Sequence, residues 1–178
     1  AGCALFEENK LTVWTHNQGV YPLRVAMAEA LKMDEDDIHV AFVPGSGCYG
    51  HNGADDVALD AALVARAVMG RPVLLKWERD DEHAWEPYGS AMRIEMQASL
   101  DDNGQIIHWR HESYSDTHLA RTTNEEGHSP LLAAWHLGKP LNPPKPKPSM
   151  AYHSGIHRNA EPIYDFPNMR IVKHLVDD

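Results

Sequence analysis

The chain opens with short extended runs. Cys3 to Phe6 and Lys10 to Thr15 lie on either side of a polar Glu-Glu-Asn stretch, the pattern of a two-stranded hairpin. From Val20 the period changes: Val20, Leu23, Met27, Ala30 and Leu31 recur at helical spacing, and Pro22 is tolerated in a first turn. The polar run Met33 to Asp37 ends that helix. Ile38 to Val43 then reads as a buried strand stopped by Pro44. Between Gly45 and Gly53 there are four glycines in nine residues, which lets the backbone take positive φ or approach a neighbour closely.

Asp55 or Asp56 is placed to cap a second, alanine-rich helix running through Val57, Ala61, Leu63, Val64 and Val68 to Gly70, and such a helix packs tightly on a sheet. Pro72 to Trp77 is a further strand, and Asp80 to Pro87 a loop or short helical turn. Met92, Ile94, Met96, Ala98 and Leu100 alternate with Arg93, Glu95, Gln97 and Ser99, the signature of a strand with one buried face. Asp101-Asp-Asn-Gly104 is a strong hairpin turn, and Gln105 to Tyr114 returns as the partner strand. Residues 119–150 are irregular and end in five prolines within nine residues, an extended connection or surface arm. Met169 to His174 is a last strand. The whole reads as α+β: a mixed β-sheet with two packed helices, one long hairpin and a proline-rich excursion.

A length of 178 residues suits one domain or two small lobes, and 43% hydrophobic with 24% charged residues is ordinary for a globular chain. The formal net charge of -10 argues against a nucleic-acid partner, which needs clustered cations. No apolar run approaches the ~20 residues that span a bilayer. A soluble cytoplasmic or periplasmic location follows as the expectation. Cys3 and Cys48 make no disulfide framework and no CxxC pair, and both are expected to stay reduced. The abrupt start at Ala1 and the uncapped end at Asp178 read as cuts through a longer protein.

The glycine stretch between strand and helix is the best local signal of function, because such a loop offers unpaired N–H groups to an anion or oxo ligand. It matches neither a Walker loop nor a dinucleotide fingerprint; the competing reading is a plain tight turn. Twelve histidines raise the question of a metal. His108 and His111 sit three apart in a predicted strand and point to opposite faces, while Gly155 weakens the helical turn that would join His153 to His157. Without matching carboxylates or thiolates, no metal site is assigned. Cys48 with His51 resembles a nucleophile and base, but Cys48 as a filler of a small-residue position is preferred. The cluster Asp80, Asp81 and Glu82 reads as a solvated corner. The five tryptophans and the stripe at 92, 94 and 96 read as core.

Several motifs in fixed order then carry a resemblance. Val13-Trp-Thr-His-Asn-Gln18, Gly45-Ser-Gly-Cys-Tyr-Gly50, Ala61-Ala-Leu-Val-Ala-Arg-Ala67, Gly70-Arg-Pro-Val73, Trp77-Glu-Arg-Asp-Asp-Glu-His83 and Trp85-Glu-Pro87 resemble the molybdopterin-binding large subunit of the xanthine dehydrogenase and aldehyde oxidase family. The string from Trp77 to Pro87 is similar to the isoquinoline 1-oxidoreductase and nicotinate dehydrogenase branch. The resemblance runs from about residue 10 to 118 and continues more faintly at Pro162-Ile-Tyr-Asp-Phe-Pro-Asn-Met-Arg170. It implies residues 1–120 as a molybdopterin-binding-like domain, and 121–178 as a connection and the start of the next segment of the same subunit.

The chemistry implied is hydroxylation of an aldehyde or N-heteroaromatic carbon with water-derived oxygen. The implied cofactor is molybdenum on a pyranopterin dithiolene, the cytosine dinucleotide form in bacterial members. The implied partners are the remainder of the large subunit, a 2Fe-2S small subunit, and a flavin subunit or cytochrome as electron acceptor. By the same resemblance Gln18 lies near the metal, and Ser46, Gly47, Cys48, Tyr49 and Gly50 stand where the family's glycine loop contacts the cofactor. Ser46 and Cys48 replace glycines there, and their side chains crowd a backbone that must come close; Tyr49 replaces Phe. The family's general-base Glu lies near the end of a much longer chain, so no catalytic residue is expected within this one, and the isolated chain is expected to be inactive. The alternative is a domain that keeps the fold and has lost the cofactor.

Overall fold

The computed structural model describes residues 1–45, 47, 54–86, 89–116, 125–145, 147–148 and 156–176. Strands β1 (Gly2–Glu7) and β2 (Lys10–Thr15) pair antiparallel from Gly2↔Thr15 to Glu7↔Lys10. Their two-residue link, Glu8 and Asn9, has φ of 49° and 61°, the primed-turn geometry that matches strand twist. Helix α1 (Val20–Leu31) carries the chain to β3 (Ile38–Phe42), parallel to β2 in the register Leu11↔Ile38 to Thr15↔Phe42. Helix α2 (Ala54–Ala67) leads on to β4 (Val73–Leu75), antiparallel to β1. The sheet order is β3-β2-β1-β4. Strands β2, β3 and β4 therefore run one way and β1 the other.

Period-two burial decides which face carries the helices. Ala4, Phe6, Leu11, Val13 and Ile38 are buried beneath Leu23, Met27 and Leu31 of α1 and Ala58, Leu59, Ala61, Ala62 and Ala65 of α2. Small residues let α2 sit very close: a Cβ on Gly2 would come within 3.0 Å of the Ala58 Cα. Arg66 ties the helices together, donating from Nη1 to Leu31 O at 2.9 Å and lying 5.8 Å from the Phe6 ring centroid. Burial on β3 is less than its sequence suggested. It is an edge strand, Ile38 alone is fully buried, and Phe42 is exposed.

The stretch expected to be a surface arm is partly core. A 3₁₀ turn forms at Leu132–His136, and Leu131, Ala134 and Leu141 are buried in the same cluster as the helices. The short polar-aromatic segment forms helix α3 (Arg79–Trp85), opened by a capping box in which Glu78 N donates to Asp81 Oδ2 at 2.9 Å.

A second compact unit comprises residues 88–120 and 145–178, the first being 1–87 with 121–144. Its sheet has the order β5-β6-β7, with β5 (Met92–Leu100) antiparallel to β6 (Ile106–Ser115) and β7 (Asn168–Leu175) parallel to β6. Gly104 has φ 78°, and Asp101 accepts from Asn103 N and Gln105 N at 2.9 and 2.8 Å, which closes the hairpin. The α+β class holds, but the long hairpin belongs to its own three-stranded sheet.

Two core assignments are corrected. Every residue of β5 is exposed, Met96 at 62%, because the alternating stripe faces no second layer among the described residues. None of the five tryptophans is fully buried, and Trp85 is exposed at 52%. On the opposite face of this sheet, buried Glu112 accepts from Tyr114 Oη at 3.0 Å, lies 3.0 Å from His174 Nε2, and pairs with Arg110. Those three partners, Arg110 foremost, hold its carboxyl down to about 2. The described residues include no helix long and apolar enough to cross a membrane.

Candidate functional site

The carboxyl ends of β2 and β3 lie side by side, Thr15 opposite Phe42, and Val43 N donates to Thr15 O at 2.9 Å. Where parallel strands end together, the loops that follow them share one edge of the sheet and form the natural crevice of such folds. Here those loops are the turn carrying Gln18 and the start of the glycine stretch.

The first loop is fixed by Asn17, which is 2% exposed. Its N–H reaches Thr15 Oγ1 at 3.3 Å, and its Oδ1 accepts from Gly19 N. That local turn leaves Gln18 exposed at the mouth. The second loop is fixed by contact: a Cβ on Gly45 would fall 2.5 Å from the His16 Cβ and 2.6 Å from its Cγ. Gly45 is thus required by the passage of the loop over His16. Burial holds the His16 ring below its ordinary pKa, which favours the neutral form. Gly47 takes φ 93°, a conformation that side chains oppose. Ser46, Cys48, Tyr49 and Gly50 lie outside the described residues, as does His51.

Electrostatics differ between the two helix starts. Helix α1 begins at Gly19 with no side-chain cap and no acidic residue in its first turn. The N–H groups of Val20 and Tyr21 have no intrahelical acceptor, and Pro22 has no N–H to leave unpaired. A neutral or anionic oxygen fits that terminus. Helix α2 is unlike it: Asp55 and Asp56 are both buried in its first turn. Neither is the cap expected from sequence. Asp56 instead accepts from Leu132 N at 2.8 Å, and desolvation, opposed by that bond, pushes its pKa up to about 7.

His108 and His111 do lie on opposite faces of β6, the first exposed and the second buried against Ala160 O at 3.1 Å. Sequence reasoning named Gln18 and the glycine loop as candidates but gave no part to His16 or Asn17. The signal for both was present, in an Asn two residues before a helix-opening Gly and in a glycine at 45 with nothing local to demand it.

A model of the molybdopterin cofactor-binding domain matches residues 1–140. The chain belongs to that family. One of the nicotinate dehydrogenase subunits of Pseudomonas putida is 33% identical over 171 residues, 95% of this chain and 13% of that protein. The aldehyde oxidoreductase molybdenum-binding subunit PaoC of Escherichia coli is 33% identical over 116 residues, 65% of this chain and 16% of that protein. Quinoline 2-oxidoreductase from Pseudomonas putida 86 superposes with a TM-score of 0.54 at 24% identity, over 65% of this chain and 15% of its own. The Cu,Mo-CO dehydrogenase gives 0.52 at 20% identity over the same shares, and these two likenesses bear on fold alone. The molybdopterin-binding domain of the xanthine dehydrogenase family is thus the right frame, and these relatives are oxidoreductases. The chain spans about one-eighth to one-sixth of the relatives it matches.

Proposed function

We propose that this domain forms one wall of a composite molybdenum site in a larger hydroxylase subunit, acting on an aldehyde or N-heteroaromatic carbon. The observation that supports it is the shared edge at the ends of β2 and β3, where exposed Gln18, the uncapped start of α1 and the passage of Gly45 over His16 sit together. Gln18, with the backbone of Ser46, Gly47, Cys48, Tyr49 and Gly50, would hold the molybdopterin, in its cytosine dinucleotide form. When bound, that group supplies the two-electron oxidation and the activation of water-derived oxygen.

The chain's own contribution is positioning. The Asn17 turn presents the Gln18 carboxamide, a neutral group that both donates and accepts. The amides at the start of α1 offer donors that need no reorganisation. His16 packs against Gly45 and fixes the point at which the chain leaves β3. The remainder of the subunit supplies the general base and most of the enclosing cavity; electrons leave through a 2Fe-2S subunit to a flavin subunit or cytochrome. Residues 1–120 carry the cofactor-facing part on this reading, and 121–178 lead into the next segment. The 178-residue chain alone turns over no substrate.

Ser46 and Cys48 favour a second reading, a domain that keeps the fold without the cofactor, since each adds a side chain where close backbone approach is needed. Metal analysis of the whole gene product separates the two. Stoichiometric molybdenum, with Gln18→Ala lowering turnover about tenfold to a hundredfold as removal of an outer partner does, supports the first. A metal-free product with intact fold supports the second.

A further inference from the structure

In the first compact unit a cleft of 660 Å³ is bounded by α2 from Asp56 to Val64, the run from β4 into α3, and the 3₁₀ turn at Leu132–His136. That volume suits a small molecule. Three carboxylates line it, Asp56, Asp60 and Asp81, and each is held by an uncharged donor. Leu132 N reaches Asp56 Oδ1 at 2.8 Å, Trp77 Nε1 reaches Asp60 Oδ2 at 3.0 Å, and Glu78 N reaches Asp81 Oδ2 at 2.9 Å. Lys76 is the one Lys or Arg among the described lining residues, and its Nζ is spent on Glu78 at 2.9 Å. Neutral donors fix these carboxylates without cancelling their charge. Burial pushes both Asp56 and Asp60 upward in pKa, as expected of carboxylates with no cationic partner among the described residues.

The remaining lining is apolar and aromatic. Trp77 and Trp85 both face the cleft, and His136 stands edge-on to Trp85 with centroids 6.3 Å apart and planes at 87°. Indole rings, exposed at Trp85 and half-buried at Trp77, beside carboxylates held by neutral donors form the pairing that holds organic cations.

We infer that this cleft is a binding site for a small organic monocation with an aromatic or apolar body, an arylalkylammonium in chemical class. The ammonium meets the carboxylates, and the body lies against Trp85 and the apolar wall. Anions are repelled by the same charges. Neutral analogues keep the stacking and lose the ion pair. Binding also strengthens as pH rises through 7, because Asp56 must give up its proton to the ion pair. Asp55 and Asp60 add like charge around Asp56, and Lys76, Asp81 and His136 share the cleft lining with it. The inference is independent of the molybdenum reading.

The test titrates the 178-residue chain with benzylammonium, following the indole signals of Trp77 and Trp85 by NMR. Benzyl alcohol, benzoate and the tripeptide acetyl-Leu-Lys-Leu-amide serve as comparison ligands. We expect benzylammonium to bind about tenfold more tightly than benzyl alcohol, with benzoate weakest. Asp60→Asn keeps an acceptor for Trp77, so it should cut benzylammonium affinity about tenfold and leave the alcohol unchanged. Trp85→Ala alters an exposed side chain and should weaken both ligands, with circular dichroism unchanged; it carries the test if Asp60→Asn fails to fold. Equal affinity for ammonium and alcohol, absence of saturation, or binding of the tripeptide without benzylammonium each overturns the inference.

Discussion

Asp56 offers a direct check on the physics of the first unit. Its side chain is 2% exposed, in the first turn of α2, with Asp55 and Asp60 adding like charge. Its pKa is raised from 3.8 to about 7. The sign of the linkage follows. Below both values the group is protonated folded and unfolded, and contributes nothing. Between them the unfolded chain releases a proton that the folded chain keeps, so stability falls as pH rises, and the loss is complete once the folded value is passed. A shift of about three units corresponds to a ceiling of about 4 kcal/mol. Asp56→Asn keeps an oxygen to accept from Leu132 N and removes the ionisation. Urea unfolding followed by tryptophan fluorescence should therefore show the variant equal to the parent near about pH 4 and more stable by about 2–4 kcal/mol near about pH 8. Other groups titrate in both proteins and cancel in the difference. Parallel curves over that range, or a variant less stable at the alkaline end, would refute the assignment of a desolvated carboxyl.

Four further outcomes rest on the same geometry. Gly45→Ala places a methyl 2.5 Å from the His16 Cβ, a clash at the root of a side chain that cannot swing away; thermal unfolding should show a loss of about 1–3 kcal/mol, the range of overpacked sites. Glu112 contributes stability fully present above its ordinary range near 4.5 and lost as pH falls toward about 2. Glu112→Gln should thus move the acid-unfolding midpoint of the second unit to higher pH and flatten its acid limb, as read by circular dichroism. Met96→Ser, at an exposed strand position, should change the stability of this chain by no more than about 0.5 kcal/mol. Leu23→Ala, at a fully buried one, should cost about 2–5 kcal/mol by the same denaturant titration.

Much of the fold is written locally. The Glu8-Asn9 and Asp101–Gly104 turns, the helical period from Val20 and the alanine-rich run of α2 are all decided by neighbours within a few residues, so the sequence determines them on its own. The order of motifs also places Gln18 and the glycine loop at strand ends, where function collects. What the sequence leaves open is which apolar stripe finds a partner. Apolar and polar residues alternate far more regularly along β5 than along β1, yet Met92, Ile94 and Met96 are exposed while Ala4 and Phe6 are buried. Periodicity specifies a face; only the presence of a second layer turns that face into core. Leu131, Ala134 and Leu141 show the converse, apolar residues in an irregular segment that become core because α2 offers them a surface. The need for glycine at 45 and the displaced pKa of Asp56 are likewise long-range effects. Each depends on atoms brought together by the β2–β3 pairing or by the return of the 3₁₀ turn onto α2, and no window of sequence contains both partners.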